Sequence, residues 1–349
     1  MYLISTKNIF PEKMKIKQYS LGIRFFLPAI TVPLLIACEG PPGADANATC
    51  TQCHNSGSLI VSATEQWRTS IHASGENTDR NATTCAMCHT SEGFRECITS
   101  GKTVTSASIS NPSSIGCRTC HKIHESYDTS DWELRTKSPV QLMITGETLN
   151  QGKGNLCINC HQPRIPDPLP ILNGSSVTIR SGYWGPHHST QASIIRGSGG
   201  MELSGSEAYG NSSHTDLTNG CITCHMAAAI GNKSGGHTMK IAYESYGTTA
   251  YNFAGCKECH NNTTELTNLL DAVRSETDSL LTQLAGKLRE QNILTSNNQI
   301  NATSNAPLEL SSNQAGALLN YLLVKEDRSG GVHNYRYIKA LLKNSIENL

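Results

Sequence analysis

Residues 117–124 read CRTCHKIH, which puts two cysteines and two histidines into eight positions. Its first five residues follow the pattern Cys-x-x-Cys-His. The pattern recurs at Cys50/Cys53/His54, Cys85/Cys88/His89, Cys117/Cys120/His121, Cys157/Cys160/His161, Cys221/Cys224/His225 and Cys256/Cys259/His260. Random placement of the 14 Cys and 13 His along 349 positions would give about 0.02 copies. Six copies therefore reflect a chemical demand and not composition.

Cys-x-x-Cys-His is the attachment sequence of haem c: two thiols add to the haem vinyl groups as thioethers, and the adjacent histidine turns its imidazole onto the iron. The spacing lets one turn of backbone reach both sides of a macrocycle edge. Structural zinc and plain disulfides also use Cys-x-x-Cys pairs, but neither needs a histidine after all six second cysteines. Six haem c groups are thus expected. The covalent attachment residues are Cys50, Cys53, Cys85, Cys88, Cys117, Cys120, Cys157, Cys160, Cys221, Cys224, Cys256 and Cys259. The proximal ligands are His54, His89, His121, His161, His225 and His260.

Composition agrees with a chain filled by prosthetic groups. Only 5% of residues are aromatic and 37% hydrophobic, and the stretches between motifs are rich in Ser, Thr, Asn and Gly, so a side-chain core looks thin. From Cys38 onward 312 residues serve six haems, 52 for each, too few for separate domains. The rings must lie close together in one stack or chain. The expected fold class is mainly α with much irregular loop and little β, packed around haem. Basic and acidic residues number 28 each, and this balance does not point to nucleic acid.

Lys13, Lys15, Lys17 and Arg24 precede an apolar run from Phe25 to Ala37, of signal-peptide length and too short to span a bilayer. Residues 1–37 are read as a signal peptide, with Met1 or Met14 as the start. The run ends Leu35-Ile36-Ala37-Cys38, a lipobox pattern that makes Cys38 a candidate lipidation site outside every haem motif. Ala44-Asp45-Ala46 before Asn47 also fits, as an ordinary cleavage site. Export is expected either way. No later segment is long and apolar enough for a membrane helix, which leaves the acyl chains on Cys38 as the only expected membrane contact.

The haem-bearing region runs over residues 38–260, with motif starts 35, 32, 40, 64 and 35 residues apart. The longest interval holds PRIPDPLP (163–170), read as an extended linker. Beyond residue 260, Leu266, Leu270, Val273, Leu280, Leu284 and Leu288 recur at helical spacing, and the apolar pattern continues at 318–324 and 338–342. Residues 261–349 are therefore expected to form a helical hairpin region packed on the haem core. A partner-binding helix is the other reading of this stripe. Cys97, outside the motifs, is expected as a buried thiol or, alternatively, an intermolecular disulfide partner.

Seven histidines remain after the six motif ligands: His72, His124, His187, His188, His214, His237 and His333. Seven can cap six irons, and all seven are candidate distal ligands, with His187 and His188 competing for one place. His124, one turn beyond His121, cannot reach the far face of its own ring and is expected to cap a neighbouring haem. Met226 or Met239 would be the ligand if one haem were His/Met-ligated. His333 follows Gly330-Gly331 and precedes Asn334, a helix N-cap candidate, so the tail is expected to deliver this ligand.

QWRTSIHASG around His72, CRTCHKIH, GPHHSTQASIIRGSGG, NSSHTDLTNGCITCHMA, GGHTM and the ending DRSGGVHNYRYIKALLKNSI resemble multihaem c-type cytochromes related to the extracellular cytochrome filaments, or nanowires, over nearly all of residues 50–349. The resemblance implies bis-histidine haems in a continuous chain and subunits that polymerise so that the chain follows a fibre. Pentahaem nitrite reductases and hydroxylamine-oxidising enzymes bear related patterns. They keep one iron open and typically replace a motif histidine with lysine, whereas all six motifs here end in histidine. The expectation is an electron carrier and not an enzyme, with a redox enzyme of those types as the alternative. It would sit on the outer membrane or cell surface as a lipoprotein, or be secreted, and pass electrons to redox proteins or extracellular acceptors.

Overall fold

The computed structural model describes residues 50, 53, 54, 59–75 and 77–349. The apolar run 25–37, Cys38, the cleavage pattern at 44–46 and both candidate start methionines lie outside the described residues.

Each haem-type motif folds as one helical turn. The histidine N–H donates to the carbonyl of the first cysteine at 2.7 Å in the first motif, 3.2 Å in the second and 2.9 Å in the third, fourth and sixth. That i to i+4 bond puts both thiols on one side of the turn. Among the described residues the α-helices are α1 (Leu59–Arg68), α2 (Ala86–His89), α3 (Ser91–Ser100), α4 (Cys117–Cys120), α5 (Asn155–Ile158), α6 (Gln191–Arg196), α7 (Cys221–His225), α8 (Thr263–Glu290), α9 (Ser312–Asp327) and α10 (Tyr335–Glu347). Helix α3 starts at Thr90, whose hydroxyl accepts from the Gly93 N–H, and ends at Gly101 in the left-handed region. It buries Phe94 and Cys97. Burial pushes the Cys97 thiol up to about 11, as suits the expected inert interior thiol.

Sheet is sparse, as the composition suggested. Among the described residues three antiparallel pairs occur: β1 (Val140–Gln141) with β2 (Thr148–Leu149), β3 (Val177–Ile179) with β6 (Leu308–Leu310), and β4 (Ala242–Ser245) with β5 (Thr248–Tyr251). The β3–β6 pair, in register Val177 to Leu310, ties the long interval between motifs to the tail. The segment 163–170 is no free linker. Pro163, Pro166 and Pro170 are buried, and the Trp184 indole donates to the Pro168 carbonyl at 3.0 Å.

Side-chain packing is unevenly shared. The main apolar core joins Ile179, Trp184, Ile194, Met201 and Leu203 to the tail helices, while the described residues before 161 contribute a smaller cluster around Leu142 and Ile158 and separate buried side chains such as Met87 and Phe94. The tail is a group of three mutually packed helices: α8 and α9 make the expected hairpin, and α10 packs on both. Asn262 caps α8 by accepting from Thr264 and Glu265, and Ser311 with Gln314 forms a capping box on α9. Leu318, Leu323, Ile338, Leu341 and Leu342 are fully buried between them, each contributing roughly 1.5–3 kcal/mol.

Candidate functional site

Twelve of the thirteen histidines meet in six pairs, and each pair joins one motif histidine to one non-motif histidine. Ring centres are 6.1 Å apart for His54 and His124 and for His161 and His72. They are 6.2 Å apart for His89 and His187 and for His121 and His237. They are 6.3 Å apart for His260 and His214 and for His225 and His333. The interplanar angles meanwhile range from 39° to 73°. Other ring contacts scatter more widely, from 5.0 Å at His187 and His188 and 5.4 Å at His124 and Tyr127 to 6.2 Å at Tyr209 and Tyr337. Constant separation with variable tilt suits a common spacer. A metal–imidazole bond of about 2.0 Å on each side, with about 1.1 Å from nitrogen to ring centre, gives that separation.

His188 faces no motif histidine. Its Nδ1 lies 2.8 Å from a Glu326 carboxylate oxygen and its side chain is 66% exposed. Met239 lies at the Nδ1 edges of two rings: its sulfur is 3.0 Å from His72 Nδ1, and its carbonyl is 2.9 Å from His225 Nδ1. His225, the motif histidine nearest both methionine candidates, faces His333.

Short-range chemistry explains how loop histidines are aimed. Asp131 accepts backbone N–H bonds from His124, Glu125, Ser126 and Tyr127 at 2.8–3.2 Å, and His124 and Tyr127 adopt left-handed backbone. Burial raises this carboxyl, but the N–H donors outweigh it and hold the pKa down at about 2. Helix α1 serves two sites. His72 follows it directly, and Gln66 both donates to the Gly231 carbonyl and accepts from the His237 N–H at 3.0 Å. His333 comes off Gly330 and Gly331, both left-handed; a Cβ at Gly331 would meet Val273 at 2.7 Å. Asn334 occupies the N-cap position of α10 but makes no cap bond. Its buried amide instead bonds Ile194, Asn211 and Ser212, fastening α10 to the loop that carries His214.

The Nδ1 atoms have partners suited to ligand tautomers. His121 Nδ1 lies 2.7 Å from the Trp132 carbonyl, His214 Nδ1 2.7 Å from the Val332 carbonyl and His161 Nδ1 3.3 Å from Gln191 Oε1. A carbonyl acceptor at Nδ1 keeps the proton there and leaves the Nε2 lone pair for a metal. Burial lowers His72 to about 4, with His161 adding to the effect, and lowers His187 to about 4, with Arg164 adding to it. His89, His161, His225 and His237 are also lowered, chiefly by burial. These rings are neutral near pH 7 and free to ligate. Burial would lower His333 too, but the Asp327 charge and hydrogen bond win and raise it.

The donor set fits haem better than zinc. Among the described residues, His, Cys, Asp and Glu form no group of three or more able to hold a metal ion, as a structural zinc site requires. They instead form opposed imidazoles with a Cys pair beside one member. Next to the sixth motif a cavity of about 530 Å³ is lined by Cys259, His260, Asn262, Glu265, Leu266 and Leu269.

The motifs also adjoin one another. Thr119 of the third donates to Ser91, just past the second, at 2.8 Å, and Cys160 of the fourth reaches the Met87 carbonyl of the second at 3.7 Å. Lys153 before the fourth meets Asn219 before the fifth at 3.3 Å. Asn252 before the sixth donates to Ala228, after the fifth, at 2.9 Å.

No family model matches this sequence, and no curated protein matches it. Among solved structures, the chain is similar to the outer cell wall cytochrome OcwA, with a TM-score of 0.48 and 19% identity, over 81% of this chain and 49% of that one. The chain spans about half the length of that protein.

Proposed function

We propose that this chain is an exported c-type cytochrome that binds six haems, each held by two thioethers and two axial histidines, and transfers electrons among them. One observation carries the reading: six one-to-one pairs of motif and non-motif histidine, all 6.1–6.3 Å between ring centres. In this reading His124, His187, His237, His72, His333 and His214 are the distal ligands of the first to sixth motif histidines in turn. His188 is not a ligand. Bound there, haem c supplies a one-electron Fe(III)/Fe(II) couple.

The chain's own part is to close both axial positions, keep the buried imidazoles of His72, His89, His161, His187, His225 and His237 neutral, and hold the motifs in contact so that hops are short. Closed axial positions favour a carrier over an enzyme that binds nitrite or hydroxylamine at an open iron. Redox proteins or extracellular acceptors are the partners proposed. Anchoring through lipid on Cys38 and assembly into a filament belong to the same proposal, resting on the sequence patterns alone.

Intact mass should show six haem additions, and the ferric spectrum should be entirely low-spin. His333→Ala should turn one haem of six high-spin or water-ligated and leave five unchanged. Four or fewer additions, or a stoichiometric high-spin haem in the unmodified protein, would overturn the reading.

A further inference from the structure

Asp327 is the last residue of α9, and its carboxylate plays no part in attaching or directly ligating a haem. One oxygen, Oδ1, lies 2.6 Å from His333 Nδ1. The other, Oδ2, accepts from the Ser329 hydroxyl and from the Ser329 N–H at 3.4 Å. Ser329 Oγ in turn accepts from the His333 N–H at 3.3 Å. The carboxylate is 1% exposed, and among the described residues it pairs with no lysine or arginine, since neighbouring Arg328 turns to Glu326 instead. Gln191 fixes the same turn by donating to the Glu326 and Asp327 carbonyls at 3.2 and 3.1 Å.

The other paired rings differ. Where the described residues give their Nδ1 a carbonyl-type acceptor, it is neutral: the Trp132, Val332 and Met239 carbonyls and the Gln191 amide. Beside His72 Nδ1 stands the Met239 sulfur, and His187 Nδ1 accepts from the His188 N–H. The half-buried carboxylate of Glu326 faces His188, which is exposed and outside every pair. His333 is thus the one paired ring with a carboxylate at Nδ1 among the described residues.

We infer that Asp327 is a positioning residue that gives His333 imidazolate character and so lowers the reduction potential of the haem between His225 and His333 relative to the other five. This inference rests on the six-haem reading above. A carboxylate accepting from Nδ1–H draws the proton away from the ring, which enriches the electron density at Nε2 and favours ferric iron. A buried negative charge close by acts in the same direction, and low local dielectric strengthens it. The fifth motif adjoins the fourth and sixth, so the low potential falls inside the array and not at an end. The array is then uneven, with an interior site that fills with electrons last.

The test is a spectroelectrochemical titration of full-length holoprotein, unmodified and carrying Asp327→Asn. The asparagine retains an acceptor for His333 but not the charge. The expected result is that one component of six shifts about tenfold in its oxidised-to-reduced ratio at fixed potential, equivalent to about 59 mV upward for one electron, while five stay in place. Asp327→Glu should move that component back. His333→Ala should remove the same component from the low-spin set. Six unchanged potentials in a variant that retains six low-spin haems would overturn the inference, leaving Asp327 a structural cap.

Should Asp327→Asn fail to take up its haems, the unmodified ferric protein decides by electron paramagnetic resonance. One-sixth of the low-spin intensity should show the reduced gmax of a more strongly donating axial imidazole, and its absence would overturn the inference. Failure of the six-haem reading would appear earlier, in the unmodified protein's haem count and spin state.

Discussion

At the scale of single residues, the histidines divide by what aims them. A motif histidine is aimed by its own helical turn, which needs only local sequence. A non-motif histidine is aimed from outside any such turn, by near partners such as Asp327 for His333, six residues back, or by far ones such as the α1 residue Gln66 for the turn of His237. Asp131 is the most concentrated case, one carboxylate gathering four consecutive N–H groups next to His124. Asp131→Ala should release that loop and convert a fraction of one haem in six to high spin, while His333→Ala affects a different haem. Spectra of the two variants and their combination should add. The pH dependence has a definite sign. Because the folded-state pKa is depressed to about 2, the contribution is present above about pH 4 and fades as pH falls through about 2. Unmodified protein should therefore keep the haem proposed between His54 and His124 low-spin at pH 4, and Asp131→Ala should already have lost part of it there.

Helices divide along similar lines. The motif turns are too short to be stable alone and are fixed by contacts to other segments, whereas α8, α9 and α10 form by capping and by packing on one another. Leu341 of α10 is fully buried and packs so tightly on the backbone at Gly200 that a Cβ there would meet its methyls at 2.6 and 3.0 Å. Leu341→Ala should cost about 2–5 kcal/mol, read as a lower midpoint in guanidinium unfolding followed by far-ultraviolet circular dichroism. The turn after α9 has a wider effect than its length suggests. Glu326 meets His188, Asp327 meets His333, and their carbonyls hold Gln191 against His161. One helix terminus thus reaches three histidine rings, and loosening it should disturb two histidine pairs together.

Taken whole, the molecule has two ways of being held together. The C-terminal helices and the 177–203 segment share an ordinary apolar core. Residues 50–160 have little such core, and there the opposed histidine pairs bring distant segments together. Removing haem attachment should accordingly unfold the first part more than the second. The placement proposed at a membrane rests on the sequence pattern at Cys38, outside the described residues, and among the described residues no helix is long and apolar enough to cross a membrane. Cys38→Ser should shift the protein from the membrane fraction to the soluble fraction; an unmodified Asn47 at the native N-terminus would count against lipidation.

The turn geometry of the motifs was legible in the sequence because Cys-x-x-Cys-His spans one turn, so spacing alone carries it. The tail helices were legible for the same reason, through apolar spacing and caps, although α10 packing across both helices of the hairpin was not. The number of spare histidines could be counted, but their partners could not. His54 faces His124 from 70 residues away and His225 faces His333 from 108, separations on which no local pattern depends. Which of His187 and His188 faces a motif histidine likewise turned on tertiary packing, since His187 meets His89 while His188 meets Glu326, 138 residues away. Asn334 marks the same boundary. Its place at the start of α10 was local and readable, but its amide bonds Ile194 and Asn211 instead of capping. Spacing within a turn is fixed by covalent geometry and can be read along the chain; which ring meets which depends on how separate segments pack, and that is decided only when the whole chain has folded.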